Sequence, residues 1–188
     1  YFTNRKICNL AFDLAYEIKK TVRRDDGSLC TFADFFCGTG GFASAYVNGV
    51  KRVDPTVDWQ KDKESVYCLD KNLSSIQTTL LNMLITTGVP FNINKIKDHN
   101  SFQNNIVHEG MDSAGFIDTE FDFLFMNPPY GGDKTKGKEY RFKYTSGKGR
   151  DKVYLVNKEI QSIGIEDDDK VSAGVQLAMA TLSKKGGV

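Results

Sequence analysis

Few metal ligands are available in these 188 residues: four cysteines and two histidines. Cys8, Cys30, Cys37 and Cys68 form no CxxC pair, and neither His99 nor His108 stands at a metal-ligand spacing from them. That scatter excludes a structural zinc site. It leads us to expect no disulfide, no metal and a reducing, cytoplasmic compartment. No apolar run approaches the ~20 residues of a membrane span, and no secretory leader is evident, so no membrane partner is expected. An excess of one charge is also missing. Lys and Arg number 25, Asp and Glu 24, for a net charge of +1. The chain as a whole is therefore no polyanion binder, and any nucleic-acid contact must come from a local basic surface. Internal repeats and low-complexity tracts are absent.

What is present is the composition of an ordinary globular domain, 40% hydrophobic and 26% charged, long enough to bury one sizeable core. The chain opens at Tyr1 and closes on Gly186-Gly187-Val188, and both ends read as cuts in a longer protein. Residues 1–188 are expected to form a single domain. Apolar residues at Ile7, Leu10, Ala11, Leu14, Ala15 and Ile18 predict a helix over 5–22. A β-rich run at 31–36 meets glycines at 38, 40 and 41, and a helix over 42–47 follows. A polar connector, 48–64, leads to a strand at 65–69. A helix over 73–87 follows, with Ile76, Leu80, Leu81, Leu84 and Ile85 on one face and Gly88 as its cap. Further strands are expected at 91–96 and 121–126, a loop at 131–152 and a last helix at 171–182. The alternation predicts an α/β fold, a mostly parallel sheet with helices on both faces, cut short at its C-terminal end. Ligands of such sheets bind beyond the carboxyl ends of the strands, here 34–41, Asp70, 98–101 and 127–130.

The turn Cys37-Gly38-Thr39-Gly40-Gly41-Phe42 lets a backbone approach a ligand closely. It is not the dinucleotide pattern GxGxxG, and no Lys-Ser or Lys-Thr follows, so it is not a phosphate loop. Asp70, at the end of the next strand, can accept from both hydroxyls of a ribose, or it can simply cap the helix beginning at Leu73. Taken together, the two features point to a nucleoside ligand without phosphates.

Asn127-Pro128-Pro129-Tyr130 follows an almost wholly apolar strand. Two successive prolines stiffen the chain and hold Asn127 and Tyr130 at the sheet edge. An exocyclic amine on a heteroaromatic ring is a weak nucleophile, because its lone pair is delocalised. The Asn127 side-chain oxygen and the Pro128 carbonyl can accept both of its hydrogens and stabilise charge developing on nitrogen. Tyr130 offers a face on which an extruded base stacks.

These residues resemble the N6-adenine DNA methyltransferases, in particular the modification subunits of type I restriction systems and related enzymes of γ arrangement. In that family a Phe-Thr-Pro element precedes the glycine motif, and the glycine motif precedes Asn-Pro-Pro-Tyr; here Phe2-Thr3-Asn4 occupies the first place. The resemblance implies a Rossmann-like S-adenosylmethionine-dependent fold. It also implies methyl transfer from S-adenosyl-L-methionine to the N6 amino group of a flipped adenine in DNA, with a separate specificity subunit as a further partner. Phe2 and Thr3 would flank the methionine part of the cofactor. Asp34 and Gly38 would lie against its amino and carboxylate groups. Cys37, Thr39, Gly40, Gly41 and Phe42 would complete the glycine motif around it. Asp70 would take the ribose hydroxyls. Asn100 stands beside Ser101 where an Asp often reads the cofactor's adenine amino group, and Asp98 is its rival. Asn4 departs from the family's Pro, and Phe35-Phe36 from its Pro-Ala; Phe35 and Phe36 read as core.

Lys134, Lys136, Lys138, Arg141, Lys143, Lys148, Arg150 and Lys152, interleaved with Tyr140, Phe142 and Tyr144, suit contacts to phosphates and bases. They equally suit a solvated surface loop. Three other readings stay open: methylation of RNA adenine, methylation of a protein glutamine (those enzymes also carry Asn-Pro-Pro-Tyr), and a nucleic-acid-binding scaffold without catalysis.

Overall fold

A computed structural model describes residues 3–93, 95–98, 101, 120–129 and 170–188. The chain divides into two compact units. Tyr1–His99, Glu120–Asn127 and Leu182–Val188 form the first, and Asn100–Thr119 with Pro128–Thr181 the second. Of the second unit, the described parts are Ser101, which is buried, the prolines at 128 and 129, and helix α5 (Lys170–Thr181).

The first unit begins with α1 (Arg5–Lys19). Asn4 caps it: the side chain accepts from the Lys6 amide at 2.9 Å, satisfying one of the unpaired N–H groups of the first turn. The position that departs from the family's Pro thus has a task of its own. The helix stops at Lys20, which turns left-handed at φ 62°, before the expected end at 22. The chain then runs through β1 (Phe32–Asp34), α2 (Gly41–Val53), the short helix α3 (Trp59–Asp62) with a 3-10 turn, and β2 (Val66–Asp70). Next come α4 (Leu73–Thr87), β3 (Ile96–Asp98) and β4 (Phe123–Leu124).

The sheet is parallel throughout, in the order β3-β2-β1-β4. Phe32 faces Val66 on one side and Phe123 on the other. Right-handed crossovers place α2 and α4 on the same face, and α1 packs against α2 in that layer. The core between this layer and the sheet is aromatic. Phe32 stacks on Tyr46 with centroids 4.8 Å apart, and Phe12 meets Tyr46 and Phe123, each at 6.1 Å. The opposite face of the sheet carries a second buried cluster, in which Phe121 meets Phe35 at 5.7 Å and Tyr67 at 5.0 Å. Phe35 is core, as expected; Phe36 is half-buried.

Several sequence expectations are corrected. The stripe Ile7, Leu10, Leu14, Ile18 does not face the core: these residues are 56%, 54%, 57% and 72% exposed. Cys8, Phe12 and Ala15 are buried instead. The reason is Gly49. A Cβ there would lie 2.3 Å from Phe12 Cδ1, so glycine lets the Phe12 ring lie on the α2 backbone, and that ring sets the rotation of α1. For the same reason 48–53 is helix rather than connector, since Gly49 is a packing glycine and not a breaker. On α4 the buried residues are Ile76, Thr79 and Met83, while Leu81, Leu84 and Ile85 are exposed. The strand expected at 91–96 begins only at Ile96, because the amides of Lys95 and Ile96 both turn back to the Asn92 carbonyl at 3.0 Å. Phe91 packs on Trp59 instead.

The base of the sheet is tied by Asp122. Its carboxylate accepts from Arg24 Nε at 2.7 Å and from the Thr31 amide at 2.9 Å, and Lys19 Nζ lies at 3.3 Å. Burial pushes this carboxyl up, but the Thr31 amide, Arg24 and Lys19 outweigh it and hold it below the usual carboxylate range. Among the described residues no helix is long and apolar enough to cross a membrane.

Candidate functional site

The chain after β1 runs to the left of the sheet through α2, while β4 lies on the other side of β1. The strand order therefore reverses at β1, and the carboxyl ends of β1 and β4 are where a sheet of this kind takes its ligand. Asp34 ends β1, and the segment leaving β4, still bonded to β1 through Phe125 N to Ala33 O at 3.1 Å, ends at Asn127.

The glycine turn lies at this edge, between β1 and α2. Cys37 N donates to Leu69 O at 2.9 Å, and Gly40 N closes the turn on Cys37 O at 2.8 Å. Gly38 and Gly40 are left-handed, at φ 52° and 79°, where a side chain is strained. A Cβ on Gly38 would meet nothing within 4 Å, so the turn is open there. Gly41 does a different job. A Cβ on it would press on Cys8 Sγ at 3.2 Å, and its absence lets the start of α1 close onto the start of α2.

Asp70, at the end of β2, is bound into this turn. Its Oδ2 accepts from Gly38 N at 2.9 Å and its Oδ1 from Asn72 N at 2.9 Å. It is not the cap of α4; Asn72 is, accepting from Ser74 N at 2.9 Å. A carboxylate has about four acceptor positions, so Asp70 retains capacity for a diol. Asp34 is almost wholly buried and accepts from the Phe36 amide at 3.0 Å. Burial pushes its carboxyl up to about 8; the Phe36 amide opposes the rise and the nearby Asp70 charge adds to it. A buried acid with so little stabilisation of its charge is suited to a cationic ligand group.

Thr3 reaches the same edge from the other end of the chain. Its carbonyl faces Cys8 Sγ at 3.9 Å, and its hydroxyl accepts from Asn127 Nδ2 at 3.2 Å. The structure therefore brings together Thr3, Asp34, Gly38, Gly40, Gly41, Asp70 and Asn127. Cys37 and Phe42 sit deeper, Cys37 with Sγ 3.8 Å from Thr79 Oγ1 and Phe42 packed at 5.8 Å on Phe125. Asp98, level with Asp70 in the β2–β3 register, is exposed. Pro128, Pro129 and Ser101 belong to the second unit. Phe2, Asn100, Tyr130 and the basic segment 134–152 lie outside the described residues.

Two residues of the site escape the sequence reading. Thr79 Oγ1 donates to Gly38 O at 3.0 Å and Asn82 Nδ2 to Thr39 O at 2.9 Å, so α4 holds two successive carbonyls of the turn. Little in the sequence marks them: they lie three apart and so on one face, but the helix also carries Ser74, Ser75, Gln77, Thr78, Thr86 and Thr87.

The sequence model of the N-6 DNA methylase family matches residues 1–181. No curated protein matches. Among solved structures, a nuclease-deletion mutant of the type ISP restriction-modification enzyme LlaGI, in complex with a DNA substrate mimic, superposes with a TM-score of 0.67 at 16% identity over 98% of this chain. The M protein of the type I restriction enzyme EcoKI does so with 0.56 at 16% identity over 97%. The type I restriction-modification methyltransferase subunit of Streptococcus thermophilus gives 0.55 at 17% identity over 100%. The chain spans 19%, 32% and 33% of those structures, respectively.

Proposed function

The chain belongs to the N-6 DNA methylase family, and on that premise we propose that residues 1–188 are a catalytic domain that moves a methyl group from S-adenosyl-L-methionine to the N6 amino group of adenine in DNA. The observation that carries the reading is the meeting of the Asp70–Gly38 pair and Asn127 on one edge of the sheet. The residues fit the cofactor. The open left-handed turn at Gly38 admits a close-packed ligand, Asp70 has acceptors for a ribose diol, and the poorly compensated Asp34 carboxylate suits an ammonium group. Thr3, Cys37, Thr39, Gly40, Gly41 and Phe42 complete this half of the proposed site, with Phe2, Asn100 and Ser101 assigned to it by resemblance. When bound, S-adenosylmethionine supplies an electrophilic sulfonium methyl group.

The acceptor half is assigned to Asn127, Pro128, Pro129 and Tyr130. The Asn127 Oδ1 and the Pro128 carbonyl accept the two amino hydrogens of the extruded base. They draw its nitrogen toward tetrahedral geometry and oppose the positive charge that grows on it. Asn127 is neutral and removes no proton in the transfer itself. Positioning supplies most of the rate, since the methyl donor is already reactive. Tyr130 stacks on the base, and the basic segment 134–152 contacts phosphates.

The full-length protein, incubated with methyl-labelled S-adenosylmethionine and unmethylated DNA, should place label in N6-methyladenine, and Asn127→Ala should abolish it. Label in RNA or protein would overturn the substrate, and cofactor binding without any transfer would favour the scaffold reading.

A further inference from the structure

We infer that Thr79 is a positioning residue for the glycine turn: its hydroxyl holds the Gly38–Thr39 peptide so that the Thr39 amide, and not the Gly38 carbonyl, is offered to the carboxylate of the cofactor's methionine part. The assignment rests on the S-adenosylmethionine reading of the site and deepens it.

A carboxylate offers acceptors only. A backbone turn serves it with N–H groups and repels it with carbonyl oxygens. Which of the two a turn presents depends on its central peptide, whose orientation differs between turn types that share the same closing bond. In a trans peptide C=O and N–H point in opposite directions, so fixing one fixes the other. Glycine at the first central position tolerates either orientation, so the turn's own residues leave the choice open.

Here Gly40 N closes the turn on Cys37 O at 2.8 Å, and Gly38–Thr39 is the central peptide. Gly38 is left-handed at φ 52° and Thr39 is not, the sense of a type II′ turn. The choice is made by α4. Thr79 Oγ1 lies 3.0 Å from Gly38 O, and a carbonyl only accepts, so the hydroxyl donates. Thr79 is fully buried, and its branched Cβ restricts χ1, so the helix fixes where that donor stands. The Cys37 thiol, 3.7 Å from the same oxygen, is a weaker donor. The peptide is trans, so with Gly38 O turned onto α4 the Thr39 N–H points away from α4. No described residue takes that hydrogen. The amides on either side are already engaged, Gly38 N by Asp70 and Gly40 N by Cys37 O. Among residues 38–40 the Thr39 amide is thus the donor left for a ligand, and Asp34, suited to the ammonium group, stands at the end of the strand leading into the same turn.

Thr79→Val keeps the shape and removes the donor. Calorimetric titration of the full-length protein should then show an affinity for S-adenosylmethionine about 10-fold lower, the loss of one hydrogen bond to a charged group. Affinity for decarboxylated S-adenosylmethionine, which lacks only the carboxylate, should stay near wild type. Thr79→Ser keeps the hydroxyl and should keep most of the affinity for S-adenosylmethionine. The wild-type protein should itself prefer S-adenosylmethionine to the decarboxylated form, a comparison that stands whether or not the valine variant folds. An equal loss for both ligands in Thr79→Val would show that the residue only props the turn, and it overturns the assignment. So does an undiminished affinity in Thr79→Val, or a Thr79→Ser variant as weak as Thr79→Val. A wild type that does not distinguish the two ligands overturns it without any variant. A wild type that binds neither overturns the cofactor reading itself.

Discussion

Gly40 combines two demands that separate cleanly by mutation. It is left-handed at φ 79°, and a Cβ on it would lie 2.8 Å from Thr79 Cγ2. Gly88, the C-cap of α4, has nearly the same φ, 75°, but a Cβ on it would meet nothing within 4 Å. Gly88→Ala therefore reads the backbone cost alone, about 1–2 kcal/mol. Gly40→Ala adds overpacking of about 1–3 kcal/mol, because Thr79 is fixed by its bond to Gly38 O and cannot swing away cheaply. At about 2–4 °C per kcal/mol for a chain of this length, Gly40→Ala should melt several degrees below Gly88→Ala. Thr79→Ser removes the offending methyl and keeps the hydroxyl. The double variant Gly40→Ala/Thr79→Ser should recover part of the difference between the two alanine variants, since Oγ1 and Cβ of residue 79 still lie 3.0 and 3.2 Å from the new Cβ, but not the backbone cost they share. Equal melting temperatures for Gly40→Ala and Gly88→Ala would refute the claim that α4 presses on the turn, as would a double variant no more stable than Gly40→Ala.

Two further predictions concern pH, and they act on opposite limbs of the stability curve. Asp34 keeps its proton up to about 8 when folded but gives it up near the ordinary carboxylate value when unfolded. The folded state is therefore favoured at low pH and loses stability as pH rises between those values. Asp34→Asn should flatten the fall in melting temperature between pH 5 and 8 while weakening cofactor binding; an unchanged pH slope would show that the carboxyl titrates normally. Asp122 has a folded value below its unfolded one, so its contribution is present at neutral pH and disappears as pH falls through the folded value. Asp122→Asn should cost about 1–3 kcal/mol at pH 7, because it takes the carboxylate from Arg24 and Lys19 and leaves them only neutral acceptors, and less at pH 3. Denaturant titrations at the two pH values check this, and equal losses would refute it.

How much of this was legible in the sequence depends on which physical signal each element carries. The helix 73–87 was readable from its periodicity and from Gly88, a local device that ends it, whereas its N-cap is Asn72 and not the Asp70 that the sequence offered. The glycine turn and its acid were readable because each needs a specific backbone or charge at a strand end. The rotation of the helices was not. Hydrophobic periodicity places Leu10, Leu14 and Ile18 on one stripe of α1, but periodicity is blind to a single aromatic residue seated on a distant glycine, and Phe12 over Gly49 decides the face. On α4 the inward residue is Thr79, which a hydropathy argument puts outside; it turns inward because a carbonyl of the turn needs a donor. Both failures have one cause, which is that pairing across more than thirty residues outranks the local pattern. The Thr3–Asn127 bond is the extreme case, joining a segment that is weak as a motif to one that is strong. The short motif gains its meaning from where the fold delivers it, so the function of the N-terminal residues has to be tested together with Asn127.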